Sequence, residues 1–286
     1  MEKYKFKSLD LSEKGIEDIS NLLKISSLNR VNKTPQLLNW QYNLNPLGKA
    51  IGYNAYIDQT LVAHYVNQPI LATIDGGQVK GLLSFNIATH PNHRKKGLFI
   101  KLANLTYQLA KSQGYKFVIG VANENSIHGL TNKLGHQIIK PLDIRVGIGK
   151  LNISYNTNDA HYERYWNHDL LDWRLSNPNR EYELKSYDEY NLIFSPMGKI
   201  GLKAIVGCFP KSISLPEMES SKTTSLNPMI WAGIDNNINW KNSLYLELPN
   251  FLRPSPMILH YKGLDQYFNK IDTKRVKFRG IDFDVF

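Results

Sequence analysis

The sequence predicts an α/β protein with mixed sheets, built from two successive halves. Three observations predict this fold class. Strand and helix signals alternate along the first half, and a meander of three strand-like segments fills residues 51–89. A short apolar segment, 117–121, follows the next helical pattern, as a buried strand does after a crossover. A tryptophan followed by Asn-Pro precedes a strand-rich region in both halves.

Composition limits the functional classes. With 42% hydrophobic and 21% charged residues, the 286-residue chain has the composition of a folded globular protein. It contains no apolar stretch long enough to span a membrane and no secretory signal, and its single cysteine, Cys208, fits a reducing cytoplasm. A net charge of +10 favours anionic ligands, but no Lys/Arg run exceeds three residues, so nucleic-acid binding is not indicated.

The elements of the first half follow from their start, stop and periodicity signals. An alternating segment opens the chain, Ser12 and Thr34-Pro35 resemble helix N-caps, and Gly114 and Gly135 resemble helix ends. The predicted strands and helices, in order, are strand 4–9, helices after Ser12 and Thr34, strands 51–58, 60–75 and 79–89, helix 97–113, strand 117–121, helix 126–134 and strand 137–146.

The second half contains a weak internal repeat. Leu38-Asn39-Trp40 precedes Asn45-Pro46, and Leu171-Asp172-Trp173 precedes Asn177-Pro178. Both tryptophans are expected to be core anchors rather than substrate stacking platforms. Because the strand-rich elements after each copy also correspond, the repeat predicts two related domains, 1–150 and 151–286.

The segment most informative for chemistry runs from a strand end, through a basic loop, into a helix. Arg94-Lys95-Lys96-Gly97-Leu98-Phe99 forms the loop and the helix start. A helix N-terminus exposes unpaired N–H groups and partial positive charge, which suit a pyrophosphate, and Gly97 would allow close backbone approach. The alternative is a basic loop that only caps an amphipathic helix.

This segment resembles motif A of the GNAT acetyltransferases, Arg/Gln-x-x-Gly-x-Gly/Ala. Arg94 and Gly97 match the motif, whereas Phe99 replaces its final small residue. The downstream series Val118 to Asn123, Asn125 and Lys133-Leu134-Gly135-His136 resembles the family's strand, asparagine and Leu-Gly-Phe segments, with His136 where Phe is usual. The resemblance implies a GNAT fold in the first half and a degenerate, GNAT-like second half that lacks the loop and shapes the acceptor site.

The resemblance also implies an acetyl-CoA site between two splayed strands. An N–H on the fourth strand would polarise the thioester carbonyl. The residues implied to contact the cofactor are Ile87, Ala88 and Thr89 at the pantetheine, Arg94, Lys95, Lys96, Gly97, Leu98 and Phe99 at the phosphates, and Asn123 and Asn125 on the far side. No metal site is expected, because His90 and His93 have no clustered Cys or carboxylate nearby.

The catalytic base and acid are less clearly indicated. The strand 79–89 contains no carboxylate, so His64 on the neighbouring strand is the first candidate base and His90 the second. The alternative for His64 is a packed, hydrogen-bonded strand histidine. The family's usual tyrosine acid is replaced by Thr131, so Tyr65 or water would protonate the thiolate.

Three functions fit these patterns. The first is an acetyl-CoA-dependent N-acetyltransferase acting on a small-molecule primary amine, in the cytoplasm. The tandem organisation resembles GNAT proteins of bacterial surface-polysaccharide biosynthesis, which implies a nucleotide-linked amino sugar. The second is a Fem-type transferase that uses aminoacyl-tRNA, favoured by the positive charge. The third is a catalytically silent acyl-CoA-binding protein, favoured by the missing carboxylate and tyrosine.

Overall fold

The computed structural model describes residues 4–28, 33–154, 160–198, 201–224, 226–241, 243–253 and 255–283. Its chain contacts divide it into two compact units. The first unit comprises 1–71, 79–138 and 259–270, and the second comprises 72–78, 139–258 and 271–286. The division therefore falls near residue 138 rather than at the predicted 150, and two short segments cross it.

The helices and strands together form the mixed α/β architecture that the sequence predicts. The α-helices are α1 (Glu13–Ser26), α2 (Pro35–Asn43), α3 (Leu98–Ser112), α4 (Glu124–Asn132) and α5 (His168–Leu175). The strands are β1 (Lys5–Ser8), β2 (Ile51–Ile57), β3 (Thr60–Ile74), β4 (Gly77–Thr89), β5 (Phe117–Ala122), β6 (Gln137–Pro141), β7 (Asp143–Gly147), β8 (Tyr162–Arg164), β9 (Glu183–Ser186), β10 (Tyr190–Met197), β11 (Leu202–Pro210), β12 (Glu219–Ser220), β13 (Met229–Gly233), β14 (Tyr245–Glu247), β15 (Ile258–Gly263) and β16 (Val276–Lys277). None of the described helices is both long and apolar enough to cross a membrane.

The helix boundaries of the first unit follow from local capping. The Ser12 and Thr34 side chains accept hydrogen bonds from the N–H groups of Gly15 and Leu37, which satisfies two unpaired donors at the starts of α1 and α2. Gly114 has φ +83 directly after α3, as a helix-ending residue does. These capping predictions are confirmed.

The sheet of the first unit has the strand order β1-β2-β3-β4-β5-β15-β6. The pairs β1–β2 and β2–β3 are antiparallel, whereas β4 and β5 are parallel. One face of the sheet packs against α3 and the other against α1 and α2, each through a buried apolar cluster. We call these the α3 face and the α1–α2 face. Alternate residues of each strand reach opposite faces.

The position of β15 is a feature that the sequence did not predict. This strand lies between β5 and β6, although more than a hundred residues separate it from either in the chain. Its Tyr261 ring stacks on Phe117 of β5, with ring centroids 5.4 Å apart. The first unit is therefore completed by a segment from near the end of the sequence.

The second unit repeats the order of pairings found in the first. Strands β9, β10 and β11 form an antiparallel meander, and β11 then pairs in parallel with β13. Trp40 and Trp173 are both buried, as predicted. Asn45 and Asn177 each accept a hydrogen bond from the N–H two residues on, at 3.0 and 2.9 Å. Between β11 and β13, the described residues contain β12 but no helix corresponding to α3.

Candidate functional site

The site begins where β4 and β5 part. The described parallel pairing of these strands runs from Leu82–Val118 to Ser84–Gly120, whereas β4 continues to Thr89. Asn86 has φ +47, a left-handed conformation that is rare inside a strand for any residue except glycine. This irregularity re-aims the backbone of the following residues. We call the gap between β4 and β5 beyond Ser84 and Gly120 the split; its closed end lies at that pair.

The basic loop follows the end of β4 and leads into α3. A 3-10 turn, Pro91–His93, is followed by two left-handed residues, Lys95 with φ +61 and Gly97 with φ +75. Gly97 is the N-cap of α3 and provides no side-chain capping group, so the first N–H groups of the helix have no such partner. A Cβ added at Gly97 meets no atom within 4 Å. The helix terminus thus faces open space that an anion can enter.

Arg94 has a structural function in this loop. Its Nη2 donates to the carbonyl of Ser26 at 2.7 Å, at the C-terminus of α1, and its Nε donates to the carbonyl of Thr89 at 3.3 Å. A helix C-terminus carries partial negative charge, so it stabilises the guanidinium. Arg94 therefore fixes the loop against α1 and β4, and two of its donor atoms are already used.

Phe99, the residue that departs from the motif, is accommodated by two neighbours. Its ring centroid lies 5.8 Å from that of Tyr65 on β3. A Cβ added at Gly129 of α4 would lie 3.1 Å from Phe99 Cε1. The motif usually has a small residue at the position of Phe99. Here the small residue is instead Gly129 on α4, which leaves room for the Phe99 ring.

The first candidate base, His64, lies on the α1–α2 face and is fully buried. Its Nδ1 is 2.7 Å from Asn54 Oδ1, and its Nε2 is 3.2 Å from the Tyr42 hydroxyl. Since a carbonyl oxygen only accepts, Nδ1 donates to Asn54 and Nε2 accepts from Tyr42. Burial lowers the pKa of His64 to about 3. A base with a pKa near neutrality is therefore not found at His64, and the packed-histidine alternative describes the geometry.

The second candidate, His90, lies at the loop end of the split. Its backbone N–H donates to Val62, and its Nδ1 accepts from the N–H of Asn92 at 3.3 Å, which caps the 3-10 turn. It is half-buried, and its ring centroid lies 5.6 Å from that of His93. His90 directly follows the end of β4, six residues beyond Ser84, and its backbone pairs with β3 at Val62. The two imidazoles make no described contact with each other, because the ring nitrogens of His64 are bonded to Asn54 and Tyr42.

The two candidate asparagines lie across the split from β4. Asn123 caps α4, where its Oδ1 accepts from the N–H of Ser126 at 3.1 Å, and Asn125 is exposed in the first turn of that helix. Thr131, at the position of the family's usual acid, donates its hydroxyl to the carbonyl of Ile127 at 2.9 Å. The α4 helix therefore presents amide groups near the split, and its threonine hydroxyl is bonded within the helix.

Tyr65 lies on the α3 face and is fully buried. Its hydroxyl is 2.7 Å from that of Tyr107 on α3. Burial raises the pKa of Tyr65 to about 12, partly offset by the nearby hydroxyls of Tyr107 and Ser84. Sequence reasoning missed Tyr107, His136 and His260, which continue this polar chain. The one available signal was His136 in place of the usual Phe.

These features fit an acetyl-CoA molecule. Open space lies before a helix terminus without a side-chain cap, the exposed side chains of Lys95 and Lys96 add positive charge, and the strand β4 leads into the loop. A cofactor held by its phosphates at the loop and lying along β4 would place its thioester end toward Ser84 and Asn86.

Comparisons with known proteins agree with this geometry. Residues 10–137 match the family model described as acetyltransferase (GNAT) domain. No curated protein gives a significant match. Among solved structures, the chain is similar to a GCN5-related N-acetyltransferase from Anabaena variabilis, at 12% identity and TM-score 0.58, over 91% of this chain and 73% of that one.

Two further structures share the fold. A conserved protein of unknown function from Enterococcus faecalis is 11% identical with TM-score 0.57, over 92% of this chain and 73% of that one. The Saccharomyces cerevisiae N-myristoyltransferase with bound myristoyl-CoA is 12% identical with TM-score 0.50, over 74% and 67%. Such low identities show the fold alone, so the functional evidence comes from the domain match over residues 10–137.

Proposed function

We propose that this chain, which carries a GNAT acetyltransferase domain in residues 10–137, transfers the acetyl group of acetyl-CoA to a primary amine on a small molecule. The observation that carries the proposal is the continuity of the split with the loop. A strand edge with a left-handed irregularity at Asn86 leads directly to a helix terminus with open space before it. Both parts of an acyl-CoA site are thus adjacent in one unit.

Each part of the site has a distinct function in this proposal. The N–H groups from Lys95 to Phe99 bind the pyrophosphate, and the backbone of Ile87, Ala88 and Thr89 pairs with the pantetheine. Asn123 and Asn125 contact the cofactor from the β5 side. Acetyl-CoA supplies an activated acyl group on sulfur. An N–H near the irregularity at Asn86 polarises its carbonyl, which is worth about 10² to 10³ in rate for one such donor.

Deprotonation of the amine is assigned to water. His64 is buried with both ring nitrogens bonded, and His90 lies at the phosphate end of the split. Neither imidazole is both accessible and near the closed end. The rate is then expected to rise with pH through the pKa of the acceptor amine itself. His64→Ala and His90→Ala should each retain kcat per folded molecule within about threefold, against the 10² to 10⁴ expected for loss of a base.

The proposal also includes the chemical class of the acceptor. A nucleotide-linked amino sugar combines a primary amine with phosphates, and the net charge of +10 favours such an anionic acceptor. The assignment to surface-polysaccharide biosynthesis rests on the resemblance of the tandem organisation. A GNAT-like second half that contributes to acceptor choice remains part of this proposal.

A thiol-release assay tests the proposal. Free CoA is measured with acetyl-CoA and a panel of amines: nucleotide-linked amino sugars, free amino sugars, amino acids and polyamines. Amine-dependent release, with Gly97→Asp as an inactive control, supports the acetyltransferase. Acetyl-CoA binding without release for any amine supports the silent binder, which the buried His64 and the bonded Thr131 favour. Stabilisation by aminoacyl-tRNA but not by acetyl-CoA would replace the proposal with the Fem-type function.

A further inference from the structure

The side chain of Asn86 lies on the α1–α2 face because of the backbone irregularity in β4. Phe85 and Ala88 pack against the apolar cluster of that face, and Ile87 packs against the cluster of the α3 face. Strict alternation from Phe85 would send Asn86 to the α3 face. Its left-handed backbone instead turns it toward α2, so two consecutive residues share one face, as in a β-bulge.

Two residues of α2 fix the orientation of the Asn86 amide. Its Nδ2 donates to Gln41 Oε1 at 2.9 Å and to the Tyr42 hydroxyl at 3.2 Å. These two bonds use both hydrogens of the amide nitrogen. The Oδ1 atom accepts no hydrogen bond from the described residues, and it is accessible rather than enclosed, in a side chain that is half-buried. The amide therefore offers one acceptor atom and no free donor.

The Tyr42 hydroxyl can accept from Asn86 because its own proton is directed elsewhere. His64 Nδ1 donates to Asn54, so His64 Nε2 has no proton and accepts from the Tyr42 hydroxyl. Asn54 Nδ2 in turn donates to the Tyr56 hydroxyl at 3.2 Å. The hydrogen bonds thus run in one direction from Asn86 to Tyr56. His64 orients the Tyr42 proton without touching the Asn86 amide, so the bond from Asn86 to Tyr42 does not need His64.

Asn86 lies close to the point that the proposed function assigns to the thioester. It is the second residue of β4 beyond Ser84, at the closed end of the split. The strand 79–89 contains no carboxylate, so an incoming amine meets no anionic side chain on it. An amide oxygen accepts an N–H hydrogen bond without strongly favouring the ammonium form, which has no lone pair with which to attack.

We propose that Asn86 binds the acceptor: its Oδ1 accepts a hydrogen bond from the amine and directs the nitrogen lone pair to the thioester carbonyl carbon. Gln41 and Tyr42 are positioning residues, since they hold the amide with its oxygen free. The amine nitrogen forms its bond to the acetyl carbon as the carbon–sulfur bond breaks, its surplus proton passes to water, and the thiolate takes up a proton from water. The inference rests on the proposed function, because that function places the thioester at this end of the split.

The tautomer of His64 tests the direction of the hydrogen bonds independently of activity. A long-range ¹H–¹⁵N spectrum of the wild-type protein, with His64→Gln to assign the resonances, should show His64 protonated on Nδ1, because Nδ1 donates to Asn54. A proton on Nε2 would mean that Tyr42 accepts from His64 and donates to Asn86. Asn86 would then present an N–H instead of an oxygen, and that result overturns the proposal.

Kinetics of Asn86→Gly test the contact with the amine. Glycine adopts φ +47 freely, so this variant removes the amide and keeps the left-handed backbone. Loss of one hydrogen bond to the acceptor should lower kcat/KM for the amine about tenfold to 100-fold. The KM for acetyl-CoA and the Kd for CoA should stay within about twofold of wild type, because the amide does not contact the cofactor in this proposal.

Tyr42→Phe tests the positioning of the amide. It removes one of the two bonds that hold Asn86, and Gln41 still supplies the other, so kcat/KM for the amine should fall about threefold to tenfold. The matched control is Tyr261→Phe. It removes a buried hydroxyl that donates to the Phe268 carbonyl at 2.8 Å, and it should leave kcat/KM unchanged. Melting temperatures, measured on the same samples, correct each rate for the folded fraction.

The outcomes separate this inference from the proposed function. An active wild type in which Asn86→Gly retains kcat/KM for every amine overturns the inference alone. An equal loss in amine kcat/KM and in CoA affinity shows that the variant deforms the cofactor site, and it also overturns the inference. A wild type that transfers no acyl group to any amine removes the proposed function, and this inference with it.

Discussion

Gly97→Asp changes the phosphate loop at one point. Gly97 has φ +75, which costs an ordinary residue about 1–2 kcal/mol, and a Cβ there meets no atom within 4 Å. The variant should therefore fold, with a modest loss of stability. Its carboxylate would stand in the open space before the N-terminus of α3, where the proposal places the pyrophosphate.

The expected loss of affinity follows from Coulomb's law. Two like charges about 4 Å apart interact by about 4 kcal/mol at an effective dielectric constant of about 20, and salt and side-chain movement reduce this. A remaining penalty of about 1.4 kcal/mol already weakens binding tenfold. Gly97→Asp is therefore expected to raise the Kd for CoA more than tenfold.

Titration calorimetry with CoA at two salt concentrations measures this loss. Gly97→Ala carries the same backbone strain without charge and should lose less affinity than Gly97→Asp, with little salt dependence. Gly114→Asp is the matched control at the other end of α3. Gly114 has φ +83 and also no atom within 4 Å of an added Cβ, so its variant should bind CoA like wild type. Wild-type affinity in Gly97→Asp would refute the assignment of the loop.

Two further predictions concern the burial of His64. His64→Ala should lower the free energy of unfolding by about 3 kcal/mol, because it leaves a cavity and removes the hydrogen-bond partner of Asn54 and Tyr42. A loss of less than about 1 kcal/mol, measured by chemical denaturation, would contradict the burial of His64. An unfolded imidazole binds a proton below about pH 6.5, whereas folded His64 does so only near pH 3. The free energy of unfolding should therefore fall by about 2 kcal/mol between pH 6.5 and pH 5 because of this residue, and by less in His64→Gln. A free energy of unfolding that does not change over this pH range would contradict the buried neutral ring.

The sequence predicted those parts of the fold that depend on local signals. The caps Ser12 and Thr34, the helix from Leu98 and the meander of β2 to β4 lie where the pattern places them, because capping and periodicity act within a few residues. Within the loop, the left-handed backbone of Lys95 and the 3-10 turn at Pro91–His93 were not predicted.

The sequence did not predict the insertion of β15 or the buried polar chain of Tyr65, Tyr107, His136 and His260. No local pattern in 258–263 indicates pairing with β5, because strand partners far apart in the chain are chosen by packing and topology. His64 also shows that a local sequence pattern does not reveal tertiary packing. A histidine in a strand pattern gives no indication of burial on both sides, and it is burial that moves its pKa to about 3.

Hydrogen exchange measured by mass spectrometry, with and without acetyl-CoA, tests the central claim most directly. If the cofactor lies in the split with its phosphates on the loop, exchange should slow in peptides covering residues 85–100, through the N–H groups of β4 and of the first turn of α3. Peptides at 120–126 should slow to a lesser degree. Peptides of the second unit, such as 190–210, should be unchanged. Protection confined to the second unit, or none in 85–100 at saturating acetyl-CoA, would contradict the account.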